Sequence, residues 1–218
     1  MNRMLKTKKT LIVIFMCTML FSACGGRKGQ PYATQKDNAW SRNACGAFSM
    51  AYYLAETGQI PGSKVESTAK EIYPKIKFDP FAGFGEYSDP FKILQEIAHY
   101  SASVRFGIKL TNPQQGGEKL MALFAETVDT SSLTDITDIA SSLGKDEYVI
   151  EIVVPRGNVD LNAPMHNPLH YVLTYWKGDT LYTLDPGRGQ EEPRQNFIDG
   201  STTRWCFCNS GIFIKPKA

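Results

Sequence analysis

The sequence predicts an α+β fold, with a helical front half and an antiparallel sheet in the back half. Three observations carry that expectation. In the front half, apolar side chains recur at three- and four-residue steps, the spacing of one helix face. From Tyr148 onward, short runs rich in Val, Ile, Tyr, Phe and Thr are bounded by turn signals, as strands are. The helical and strand patterns are segregated along the chain, which fits α+β better than an alternating parallel layout.

The chain has 218 residues, 42% of them hydrophobic and 21% charged, an ordinary globular balance in which a packed core is expected. Its formal charge is +2, but Arg3, Lys6, Lys8 and Lys9 all lie in the first 23 positions, which hold no acids. The remainder carries 20 basic against 22 acidic residues, so no nucleic-acid surface is expected.

Residues 1–23 read as a targeting segment. Basic residues precede the apolar run Leu11–Phe21, which is too short to span a bilayer as a mature helix. Phe21-Ser22-Ala23-Cys24 then resembles the bacterial lipobox, where cleavage precedes the cysteine and the cysteine is acylated. In this chain Leu20 stands one place before the usual leucine position. The alternative is an ordinary secretory signal cleaved near Ala23, leaving Cys24 free. Residues 24–31 read as a flexible tether, and residues 32–218 are expected to form one domain.

A first helix is expected to start at Cys45, because Ala44, Phe48, Ala51, Tyr52 and Ala55 mark one helical face after a polar, turn-rich approach. Ser63-Lys64-Val65-Glu66 has capping-box form and predicts a second helix ending near Tyr73-Pro74. The aromatic, glycine-rich stretch 78–88 reads as a loop, packed on the core or walling a substrate site. Asp89-Pro90 predicts a capped helix running to about Tyr100. Val104–Leu110 alternates as a strand, and helices are expected over 117–127 and 133–143. Strands follow at Tyr148–Val154, Leu169–Trp176, Thr180–Leu184 and Ile212–Ile214, the middle two joined by a turn at Lys177–Asp179.

Cysteine usage points to chemistry. With Cys17 in the leader and Cys24 acylated, the domain keeps Cys45, Cys206 and Cys208, an odd number that calls for a free thiol. Cys206 and Cys208 lie two apart in a strand-like run and read as buried strand cysteines rather than a strained bridge. Cys45 sits at a helix N-terminus, where unpaired N–H groups and the dipole favour a thiolate nucleophile. No metal-ligand spacing is present, since Pro168 separates His166 from His170, and no cofactor is expected.

A thiol nucleophile needs a base, and the chain has three histidines. His99 lies in a helical pattern with no chemistry beside it. His166 falls in the Pro-rich loop Asn162–Pro168 and reads as solvated or substrate-contacting. His170 opens a strand that would hold its ring rigidly. Across the hairpin, positions pair when their numbers sum to about 356, which brings Asp185 beside His170 at the end of the next strand. A carboxylate there is expected to accept the imidazole Nδ1–H and fix the tautomer.

This order of helix-borne Cys, helical half, strand His and strand-end Asp resembles the papain-like cysteine peptidase superfamily. More narrowly it is similar to the peptidase domains of bacteriocin-leader (double-glycine) processing enzymes and their secreted relatives. Gln35, Asp37-Asn38, Trp40 and Ala44-Cys45-Gly46 match the family's layout, as do His170-Tyr171-Val172-Leu173 and Tyr182–Pro186. Ala47 stands where the family usually has proline. The resemblance implies a nucleophile helix packed on a C-terminal antiparallel sheet. It also implies that Gln35 donates to the oxyanion beside the Cys45 N–H, with Asn38 as the fallback donor.

The expected activity is that of a lipid-anchored, extracytoplasmic bacterial cysteine peptidase or amidase. Its partners would be a peptide or protein substrate and, through lipidated Cys24, a membrane. Transamidation, cell-wall peptide hydrolysis and a non-catalytic binding module remain alternatives. No GxxxxGK[ST] motif is present, so the chain does not read as a transporter-fused peptidase.

Overall fold

The computed structural model describes residues 32–78, 86–108, 133–155, 170–199 and 205–217. Cys24 with its leader, positions 79–85 of the expected loop, the expected 117–127 helix, His166 and the side chains of Cys206 and Cys208 lie outside the described residues. In chain order the elements are α1 (Cys45–Glu56), α2 (Val65–Ile76), α3 (Pro90–Ala98), β1 (Ser101–Ile108), β2 (Leu133–Asp135) and α4 (Ile139–Ser142). They continue with β3 (Tyr148–Pro155), β4 (His170–Lys177), β5 (Thr180–Asp185), β6 (Gln190–Pro193), α5 (Arg194–Asp199) and β7 (Trp205–Pro216).

The architecture is α+β. Seven strands form one sheet in the order β2-β1-β7-β3-β4-β5-β6. Every neighbouring pair is antiparallel except β1 and β2, which run parallel. Strand alternation decides what each face carries. Ile150, Ile152, Tyr171, Leu173, Tyr175 and Leu184 join the main core with α1, α2 and α3. On the opposite face, Val153 and Val172 pack with Phe197 of α5, while Val149 and Phe213 pack with Ile139 and Leu143.

Helix α1 is the centre of that core. Cys45 through Leu54 are all buried, so the helix is covered all round rather than along one stripe, because α2, α3 and β4 enclose it. Phe48, Met50 and Leu54 are each at most 2% exposed, and burying a side chain of that size contributes about 1.5–3 kcal/mol.

Asp89 caps α3 as expected, its Oδ1 accepting from the N–H of Phe91 at 2.8 Å with Pro90 at the first helical position. Helix α2 differs from expectation in two ways. It runs past Pro74 to Ile76, and its start has no side-chain cap, because Glu66 accepts from Asn38 instead.

Residues 133–143 are not one helix. Leu133–Asp135 pairs with Phe106–Ile108 as β2, and Asp138 then caps the four-residue α4 by accepting from Ser141 N–H at 2.9 Å. The apolar stripe is still used, since Ile136, Ile139 and Leu143 are buried. The open edge of β1 takes the front of the segment into the sheet, where backbone pairing outweighs weak helical propensity. β6 and α5 were not expected at all.

Candidate active site

Cys45 is the first residue of α1, buried, and a free thiol. Ala44 precedes it without a side-chain cap, and the first-turn N–H groups of a helix start are favourable to anions. His170 is the first residue of β4 and Asp185 the last of β5, which puts both at one end of the sheet.

The hairpin register is Leu173 opposite Leu184 and Lys177 opposite Thr180. It follows from a two-residue turn at Gly178-Asp179, with Gly178 at φ +58°. Extending that register by one step sets Asp185 opposite Val172, diagonal to His170 across one strand pair. The ring Nε2 of His170 is 2.7 Å from Asp185 Oδ1. The expectation that Asp185 would hold Nδ1 is therefore corrected: the carboxylate engages Nε2, which leaves Nδ1 as the nitrogen for the thiol. Cross-strand pairing fixes which residues are neighbours, but the ring rotamer decides which nitrogen faces which neighbour.

Both partners are buried, His170 at 5% and Asp185 at 6% exposed. Burial by itself pushes the His170 ring down. Hydrogen bonds to Asp185 and Cys45, and the negative charge of each, outweigh it and raise the ring to about 9. Burial likewise pushes the Asp185 carboxyl up, but the His170 hydrogen bond and charge, the Gly187 N–H at 2.7 Å and Arg188 hold it below its ordinary value. At neutral pH the raised value favours a protonated His170 ring beside the Asp185 carboxylate.

The segment ahead of α1 is tied to the turn after Asp185. Tyr32 N–H donates to Gly189 O at 2.8 Å and Gln35 N–H to Pro186 O at 3.0 Å. Tyr52 on α1 fixes the same segment by donating to Ala33 O at 2.9 Å. Gln35 therefore sits one residue beyond Asp185 in space. Its Nε2 donates to Arg42 O at 3.2 Å, and its Oε1 is buried without a partner among the described residues. One amide hydrogen is committed there. Asn38, the fallback donor, instead gives its amide to Glu66 at 2.6 Å on α2. His99 caps the end of α3, and its carbonyl accepts from Lys217.

Other neighbours of the site were not read from the sequence. Tyr73 of α2 is pushed up to about 12, chiefly by burial, and its phenol donates to Glu86 O at 2.5 Å. Tyr171 donates to Ser88 O at 2.9 Å. The aromatic loop pattern marked the neighbourhood of Ser88, but no local signal marked that residue.

Among the described residues no group of three or more His, Cys, Asp or Glu side chains could hold a metal ion. Also among them, no helix is long and apolar enough to cross a membrane.

Fold and site together define an α+β protein with a helix-start cysteine hydrogen-bonded to a buried His–Asp pair. No protein-family model matches the chain, and no curated protein matches it. Among solved structures it is similar to the one titled "Crystal Structure of Pseudomonas Avirulence Protein AvrPphB". The two share 9% identity at a TM-score of 0.41, and the likeness covers 81% of this chain and 93% of that one.

Proposed function

We propose that the protein is a papain-like cysteine peptidase or amidase acting on a peptide or isopeptide bond. The observation that carries this reading is the hydrogen-bonded run Cys45–His170–Asp185. In the first step Cys45 Sγ attacks the carbonyl carbon, forming a C–S bond. As the tetrahedral adduct collapses, the C–N bond breaks and His170 delivers its proton to the leaving amine. Water then attacks the thioester, giving a proton to His170, and the carboxylic acid leaves as the C–S bond breaks. Asp185 holds the ring through Nε2 and stabilises its charge at each stage.

The Cys45 backbone N–H and the uncommitted hydrogen of Gln35 Nε2 are the oxyanion donors in this scheme. Order along the chain supports the papain-like reading: nucleophile helix, then His strand, then Asp at the next strand's end. The lipobox-like Cys24 supports anchorage to the bacterial envelope. Replacing Cys24 with Ser would move the protein from the membrane to the soluble fraction if that anchor is used.

The decisive measurement is alkylation of the domain by iodoacetamide at neutral pH, followed residue by residue. Cys45 should react faster than Cys206 and Cys208, and His170→Ala should slow it. An alkylation rate for Cys45 that ignores His170→Ala would remove the basis for an enzyme. Peptide profiling of wild type against Cys45→Ala then identifies the bond cleaved.

A further inference from the structure

One residue outside the Cys–His–Asp run touches both elements that bear it. Gly46 follows the nucleophile, and its lack of a Cβ is what lets its neighbours in. A Cβ there would lie 2.7 Å from Ser88 Cβ, 2.8 Å from Ser88 Oγ and 2.7 Å from Ile93 Cδ1. Ser88 therefore packs directly on the backbone of the residue after Cys45. On its other side, Ser88 O accepts from Tyr171, the residue after His170, at 2.9 Å.

Ser88 is itself rigidly held. It is 1% exposed, bridges Lys77 in antiparallel fashion, and precedes the Asp89 cap of α3, whose N–H donates to Ile76 O at 2.7 Å. Its hydroxyl is buried without a hydrogen-bond partner among the described residues, so Cβ and Oγ meet Gly46 by packing alone, while the carbonyl takes the hydrogen bond from Tyr171.

We propose that Ser88 is a positioning residue: a strut between Gly46 and Tyr171 that sets the spacing of Cys45 and His170. The idea rests on the peptidase reading above. A thiol and an imidazole must meet within hydrogen-bond reach, and a misplacement of about 1 Å costs on the order of 10²-fold in rate. β4 packs on α1 directly, and Ser88 adds a contact aimed at the two residues that flank the thiol and the imidazole. Ser88 joins them one residue downstream of each reacting group.

The test is a double-mutant cycle on Cys45 alkylation by iodoacetamide, using the whole domain at several pH values. Tyr171→Phe deletes the bond to the Ser88 carbonyl with almost no change of volume, and Gly46→Ala forces the strut outward. Each should slow alkylation roughly tenfold or more and move its pH profile toward that of the His170→Ala variant. Combined with His170→Ala, Tyr171→Phe should have no further effect, since both act through one geometry.

If Tyr171→Phe leaves the rate unchanged, or slows it equally with and without His170, the strut is overturned. If His170→Ala alone has no effect, it is the peptidase reading that fails. Gly46→Ala carries the larger risk of unfolding, so urea melts accompany each variant, and Tyr171→Phe decides the matter if Gly46→Ala does not fold.

Discussion

Nε2 of His170 lies 2.7 Å from Oδ1 of Asp185, and both residues are at least nine-tenths buried. The pair closes the end of the sheet at which α1 begins, so the same contact that orients the ring also joins β4 to β5.

That contact makes stability depend on pH. The folded-state pKa of His170 is raised to about 9, above the ordinary value of about 6.5, so between those limits the folded chain holds the extra proton. Its contribution is complete below about pH 6.5 and is lost as pH rises through about 9. Asp185 is displaced downward, so its contribution is present above about pH 4 and lost as pH falls. Urea unfolding should show a maximum near pH 5–6.5 and a decline toward pH 9. His170→Gln should abolish the alkaline decline; an equal decline in that variant would assign it to other groups.

Gln35 separates oxyanion support from thiol activation. Gln35→Ala should lower peptide turnover about 10²–10³-fold, the usual cost of one lost donor. Alkylation of Cys45 by iodoacetamide builds no oxyanion and should proceed at close to the wild-type rate. A parallel fall in both would mean that the Gln35 side chain acts by shaping the segment before α1, through its bond to Arg42 O.

Glu151 is fully buried beneath α5, where Arg194 grips it with Nε at 3.1 Å and Nη2 at 2.9 Å, and Thr174 donates to it at 2.7 Å. Arg194→Met strands that carboxylate and should cost about 3–5 kcal/mol in urea unfolding. Glu151→Met together with Arg194→Met should recover most of the loss, because a buried ion pair replaced by apolar groups of similar size is often neutral. A double variant as unstable as the single would show that the pair itself is net stabilising.

The same pair explains what the sequence left unreadable. Gln190–Asp199 holds Phe197 as its only aromatic residue among mostly polar neighbours, so neither strand nor helix periodicity stands out. It becomes β6 and α5 because of distant partners: the open edge of β5, the buried Glu151 and the Val153–Val172 surface that Phe197 covers. The strands that bring His170 to Asp185 were readable because they are rich in β-branched and aromatic residues and meet across a two-residue turn. Cys45 was readable because a polar approach gives way to an apolar helix at that position. The nitrogen that Asp185 holds depends on a rotamer, and the role of Ser88 depends on contacts with positions 46 and 171; neither leaves a local trace.

The latch between the N-terminal segment and the turn after Asp185 can be tested at Gly189. Its φ is +64°, and a Cβ there would lie 2.2 Å from the Tyr32 carbonyl oxygen. Gly178, at φ +58°, has nothing within 4 Å of the same position. Alanine at Gly178 should therefore cost only the left-handed backbone penalty of about 1–2 kcal/mol. Alanine at Gly189 carries that penalty and must also push Tyr32 away, breaking its bond to Gly189 O and loosening Gln35 beside Pro186. Gly189→Ala should lower Tm by several degrees more than Gly178→Ala, at about 2–4 °C per kcal/mol for a chain of this size. It should also slow Cys45 alkylation, because the turn it distorts contains the Gly187 N–H that holds Asp185. Equal Tm losses in the two variants would mean that the Tyr32–Gly189 contact contributes nothing to holding the turn.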